Sequence, residues 1–158
     1  MRITRGLIGL AAATLIAGQA LAAPACYHSG EAEASLAVRF MTELMVMNDA
    51  CQQTAYDGFI QRNFKALAAY HREALEHYRR SGDRHADDTL DAEVTKIAND
   101  AALGVASAPI ATFCASKAAY FATANTLTGP ELRTYLANLM VAHADEYPRC
   151  DDRRSVSR

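Results

Sequence analysis

The segment "FMTELMVMNDAC", Phe40 to Cys51, holds three methionines and a cysteine in twelve residues and decides how the chain folds. Soft sulfur ligands in that density raise a metal or haem site, and the helical period answers the question. At 100° per residue, Leu36, Phe40, Leu44, Met47 and Cys51 fall within an arc of about 80°. Val38, Met41 and Met45 form a second apolar arc on the opposite side. Only Arg39, Thr42, Glu43 and Asp49 make a polar strip, with Arg39 and Glu43 as an i,i+4 pair. A helix this apolar around its circumference sits at the centre of a bundle. Met45 and Met47 point about 160° apart and cannot chelate one ion together. Met41 and Met45 share a face, where methionine commonly fills irregular core gaps.

Outward from this helix, expected over about 31–53, the chain reads as helical throughout. A second helix follows "TAYDG" and runs to about Arg80, with Ile60, Phe64, Leu67, His71, Leu75 and Tyr78 as its stripe. "SGDRHADD" (81–88) is a turn-rich connection. A third helix starts near Asp88, shows Leu90, Val94, Ile97, Ala101 and Val105, and stops before Pro109. A fourth begins at Pro109 and carries Phe113, Cys114 and Phe121. In "LTGPEL" (127–132), Thr128 and Glu131 form a capping box with Leu127 and Leu132 as its staple. The fifth helix then shows Leu132, Leu136, Leu139 and His143 and ends at Pro148. The expected fold is all-α: an up-and-down bundle of four to five helices, stapled by disulfides.

The N-terminus reads as a targeting segment. Arg2 and Arg5 precede an uncharged run from Gly6 to Ala17, and Ala20 and Ala22 fit a small-x-small cleavage site. Residues 1–22 are therefore a signal peptide and 23–158 a single domain, with 151–158 a frayed polar tail. The apolar run is shorter than the roughly 20 residues a membrane span needs. Ala23, Pro24 and Ala25 lack the large aliphatic residue that a lipoprotein signal at Cys26 would want. The expectation is a periplasmic or secreted protein with no stable membrane span after cleavage. Without its signal the chain has a net charge of −4. That is a poor balance for nucleic acid, whose binding leans on Lys and Arg. No basic amphipathic helix favours a membrane surface.

All four cysteines lie in the mature part, an even number that suggests two disulfides in an exported chain. No C-x-x-C pair favours zinc, and no C-x-x-C-H allows covalent haem. An intact first helix separates Cys26 from Cys51 by about 30 Å. A disulfide needs Cα atoms within about 7 Å, which removes the 26–51 pairing and with it 114–150. Alternating helix directions favour Cys51–Cys114, leaving Cys26 with Cys150. That second pair is awkward unless the terminal segments run along the bundle, and 51–150 stays open as the rival.

Among titratable candidates, His71 and His143 lie in helix stripes. With Met41 and Met45 they are the candidate axial ligands for non-covalent haem or a soft metal in a bundle core. The plainer expectation is histidines bonded to neighbours, and no cofactor. Glu73 and His77 are an i,i+4 pair that could hold a surface metal, but beside Arg72, Glu76, Arg79 and Arg80 they read as a solvated charge network. "DRHADD" around His85 lacks calcium-loop spacing. There is no G-x-S-x-G elbow and no glycine-rich phosphate loop.

The blocks "TELMVMNDAC" (42–51), "YDGFIQRNF" (56–64), "LDAEVTKIANDAA" (90–102) and "TFCASKAAYF" (112–121) resemble a family of small exported helical bacterial proteins of unassigned function. The resemblance covers under half of the mature chain. It implies an exported helical domain in which Cys51 and Cys114 belong to the common pattern, and it transfers no catalytic residue. The leading expectation is thus a non-catalytic periplasmic domain that binds an envelope partner or a small ligand. The alternatives are a haem or soft-metal carrier and an acid-stress periplasmic chaperone, in which buried His71 and His143 would charge and favour opening.

Overall fold

A computed structural model describes residues 26–28 and 30–150; the expected signal segment 1–22 and the expected frayed tail 151–158 lie outside the described residues. Among the described residues six helices follow one another: α1 Glu31–Ala50, α2 Ala55–Arg80, α3 Ala86–Ala106, α4 Ile110–Ser116, α5 Ala118–Thr126 and α6 Gly129–Ala142. No strand forms among the described residues; one parallel bridge joins Tyr27 to Arg149. No single described helix is long and apolar enough to cross a membrane.

α1 is central and packs against α2, α3, α5 and α6. Its predicted inner arc is buried: Leu36, Phe40, Leu44 and Met47. They meet Phe59 and Leu67 of α2, Phe121 and Ala124 of α5, and Leu132 and Leu136 of α6. Phe40 is the hub, with the Phe59 ring at 5.3 Å and the Tyr135 ring at 5.2 Å, both edge-to-face. The second arc is only partly covered. Val38 joins Ala34, Ala74, Leu75, Ala86 and Leu90 in a smaller core, whereas Met41 is half-buried and Met45 exposed. Thr42, read as part of the polar strip, is buried; its hydroxyl donates to the Val38 carbonyl at 2.9 Å, so no partner is lost.

Several boundaries differ from the periodicity. α1 stops at Ala50 because Gln52 takes φ 51°, which turns the chain. The Asn48 side chain then accepts the Tyr56 N–H at 3.1 Å, so α2 starts early, at Ala55, and "YDG" is helical. The predicted fourth helix is two. At the break, the Ser116 hydroxyl donates to the Phe113 carbonyl at 2.6 Å and competes with the backbone ladder. α6 ends at Ala142, short of Pro148, where turns centred on His143 take over. Thr128 is its N-cap, but its hydroxyl donates to the Glu131 carboxylate instead of accepting a backbone N–H.

Two disulfides close the fold. Cys51 bonds Cys114 with Cα atoms 5.6 Å apart, and Cys26 bonds Cys150 at 4.7 Å. The second is reached because residues 143–150 run back along α1. Arg39 Nη1 donates to Glu146 at 2.6 Å, and Tyr27 N–H and Cys150 N–H bond the Pro148 and Tyr27 carbonyls at 2.9 and 3.0 Å. Disulfides belong to oxidising, extracytoplasmic surroundings.

Candidate functional site

An open cleft of about 630 Å³ lies where α1, α2 and α6 converge. Gly30, the N-cap of α1, and Glu33 form one side. α2 contributes Ala66, Ala69, Tyr70 and Glu73, a 3–4 spaced stripe that faces one way. α6 contributes its first turn, Gly129, Pro130 and Arg133. Gly30 makes the wall possible. It sits at φ 95°, a conformation that L side chains rarely adopt, and a Cβ there would lie 2.1 Å from Glu73 Oε1. The backbone therefore gives way to a carboxylate.

The Tyr70 hydroxyl donates to Glu33 Oε1 at 2.5 Å. Burial, then the Glu33 carboxylate, pushes the phenol up to about 12 against the pull of Arg133. Tyr70 thus stays protonated and orients Glu33. Glu73 and Arg133 form no ion pair with any described residue, although both line the cleft.

A buried polar cluster backs this wall. Glu31, next to Gly30, accepts Arg80 Nε at 2.8 Å on Oε1, and Arg80 Nη2 and the His28 N–H on Oε2. Burial alone would raise the Glu31 carboxyl; the donors from Arg80, His28 and His77 outweigh it and hold the group at about 2. His77, 1% exposed, lies with Nδ1 3.2 Å from Glu31 Oε2. Burial pushes His77 below its ordinary value; Glu31 opposes this, while Arg80 and His28 add to it. The ring is then neutral at pH 7, and facing a carboxylate, Nδ1 carries the hydrogen. Tyr27 stacks on it at 4.0 Å and 2°.

The predicted candidates do not converge. His71 and Met45 are exposed and Met41 is half-buried against the core. His143 caps α6, is bonded to Glu146 at 2.8 Å, and lines a cavity of about 120 Å³ together with Phe40, Tyr120 and Tyr135. Of the expected α2 stripe, Leu67 and Leu75 are buried and Ile60 and Tyr78 half-buried, but Phe64 and His71 face out, and Phe59, Asn63, Ala74 and His77 complete the inward face instead. His77 and Glu73 are therefore not a solvated pair, and any acid-opening role for a buried histidine passes from His71 and His143 to His77. The Cys51 and Cys114 thiols are consumed in a disulfide, as are Cys26 and Cys150. No group of three or more His, Cys, Asp or Glu is placed to hold a metal ion among the described residues. No family model, curated protein or solved structure matches the chain.

Proposed function

We propose that the chain is exported, cleaved after Ala22, and works without catalysis as a binding domain that holds a small organic ligand in the α1/α2/α6 cleft. The observation that carries this reading is the cleft itself, about 630 Å³ with Glu73 and Arg133 both facing it and joined to no ion-pair partner among the described residues. Ligand sites typically span about 300–1,000 Å³, with apolar walls and a few convergent polar groups. Ala66, Ala69 and Pro130 supply the walls here. Export is supported by the N-terminal pattern and by two disulfides.

The test is Ala69→Trp. Ala69 is exposed on the cleft rim, so the indole fills the cleft at little cost to the core. A panel of small polar solutes is screened by protein-detected NMR on both proteins. Saturable shifts at Ala66, Ala69 and Tyr70 in the wild type, lost in Ala69→Trp with unchanged helicity, support the reading. Ligand binding that Ala69→Trp leaves intact, or no hit across the panel, overturns it. Exposed Leu103 and Ile110, either side of the corner where α3 and α4 bend by 114°, favour a second reading, an envelope protein docked there.

A further inference from the structure

We infer that the ligand of the cleft is a small zwitterion, its ammonium held by Glu33 and Glu73 and its carboxylate by Arg133; this rests on the cleft being a ligand site. The charges are sorted by wall. Both carboxylates stand on the α1/α2 side and the guanidinium on α6, where it acts across the gap on the Tyr70 hydroxyl, but no ion pair crosses the gap among the described residues. Opposite charges that share a cleft without pairing leave room between them for a molecule carrying the complementary pair.

The acidic wall is built to present oxygen. Tyr70 occupies one oxygen of Glu33 and leaves Oε2 with no hydrogen bond from a described residue. Glu73 is seated against Gly30, where any side chain would expel it. On the other wall, Arg133 offers the planar fork that matches a carboxylate bidentately. Between them, Ala66, Ala69 and Pro130 offer no side-chain donor or acceptor, which suits a short aliphatic frame.

The same arrangement rejects the two nearest competitors. A dication would meet Arg133, and a dicarboxylate would meet Glu33 and Glu73; like charges placed together are how a site discriminates. Ammonium and carboxylate on one small frame occur in a free amino acid and in a short peptide. The cleft is larger than a free amino acid needs, and both are arms of the experiment.

The oxidised protein is titrated, with amide shifts at Ala66, Ala69, Tyr70 and Arg133 as the readout. The probes are L-alanine, tri-L-alanine, N-acetyl-tri-L-alanine and tri-L-alanine amide. The expected result is saturable binding of an uncapped probe, weakened at least tenfold by either cap. Glu73→Gln should weaken tri-L-alanine at least tenfold but leave the N-acetyl form unaffected. Arg133→Gln should do the same with respect to the amide. The tighter of alanine and tri-alanine names the source. Both replaced side chains lie on the surface wall of the cleft, and thermal melts confirm that each variant folds. Capped and uncapped peptides binding alike, or variants without effect, overturn the zwitterion while the cleft stands. No shift with any probe overturns the zwitterion also, and the cleft reading then depends on the solute panel and Ala69→Trp.

Discussion

Glu31→Gln isolates the buried carboxylate that ties α1 to the end of α2. Its carboxyl is held at about 2 instead of its ordinary 4.5, which corresponds to about 3 kcal/mol of preference for the charged form in the folded state. The Glu31 side chain is only 9% exposed, but Arg80 is 34% exposed and water screens it, so about 2–3 kcal/mol is the expected loss at pH 7. The group's folded value lies below its unfolded one. Its stabilisation is therefore complete above about pH 5 and fades as pH falls toward 2, with about 2 kcal/mol gone by pH 3. Urea unfolding of oxidised wild type and variant at pH 7, 5 and 3 measures this. The gap between them should be about 2–3 kcal/mol at pH 7, or about 1–2 M in urea midpoint, and should close to under about 1 kcal/mol at pH 3. A gap that stays the same at all three pH values would mean that packing, not charge, makes the difference. A gap below about 1 kcal/mol at pH 7 would mean that the Arg80 and His28 contacts do not hold the carboxylate as described.

Three further outcomes follow from the same geometry. Gly30→Ala should lower stability by about 1–2 kcal/mol through left-handed strain and displace Glu73, read by urea unfolding and by weakened cleft binding together. Replacing Cys51 and Cys114 by serine opens a 63-residue separation and should cost about 4 kcal/mol in the chain-entropy model, measured by thermal melting against the oxidised parent. A haemin titration of the oxidised protein should give no sharp Soret band at one equivalent, because His71 and Met45 face solvent and His143 is engaged by Glu146; a band abolished by His143→Ala would reverse this.

The helical class and the inner face of α1 were legible because Leu36, Phe40, Leu44 and Met47 repeat at the helical period and all are buried. The α2 stripe was legible at Leu67 and Leu75 but not at Asn63 and His77, for a definite reason. Asn63 and His77 are polar, and a hydropathy pattern places polar residues outside. Here Asn63 Nδ2 donates to the Phe59 and Leu127 carbonyls at 3.0 Å each, and neighbouring Arg62 donates to the Ala124 carbonyl at 3.0 Å. The bonds to Leu127 and Ala124 satisfy carbonyls left open at the end of α5, which a one-dimensional pattern cannot register. His77 is inside for a similar reason, as the donor to Glu31. The cleft was invisible because Glu33, Tyr70, Glu73 and Arg133 are unremarkable surface residues until α6 packs beside α1 and α2. The one signal in the chain was the pairing of Gly30 ahead of α1 with the Ala66, Ala69, Tyr70, Glu73 stripe, which offers a helix face too small and too polar for a core.

The clasp at the base of the bundle also governs how the protein bears load. Cys26 and Cys150 are bonded with their Cα atoms 4.7 Å apart, beside a backbone bridge from Tyr27 to Arg149. Tension applied to the chain outside these two cysteines runs from one sulfur to the other and does not reach the helices between them. Stretched by its ends in the oxidised form, the protein should extend only by the segments beyond the clasp, with no unfolding step. Once Cys26–Cys150 is reduced, the same pull enters through Tyr27 and the Glu31–Arg80 contacts and peels α1 from α2 and α6. A single redox event would thus convert a mechanically inert ring into an extensible one.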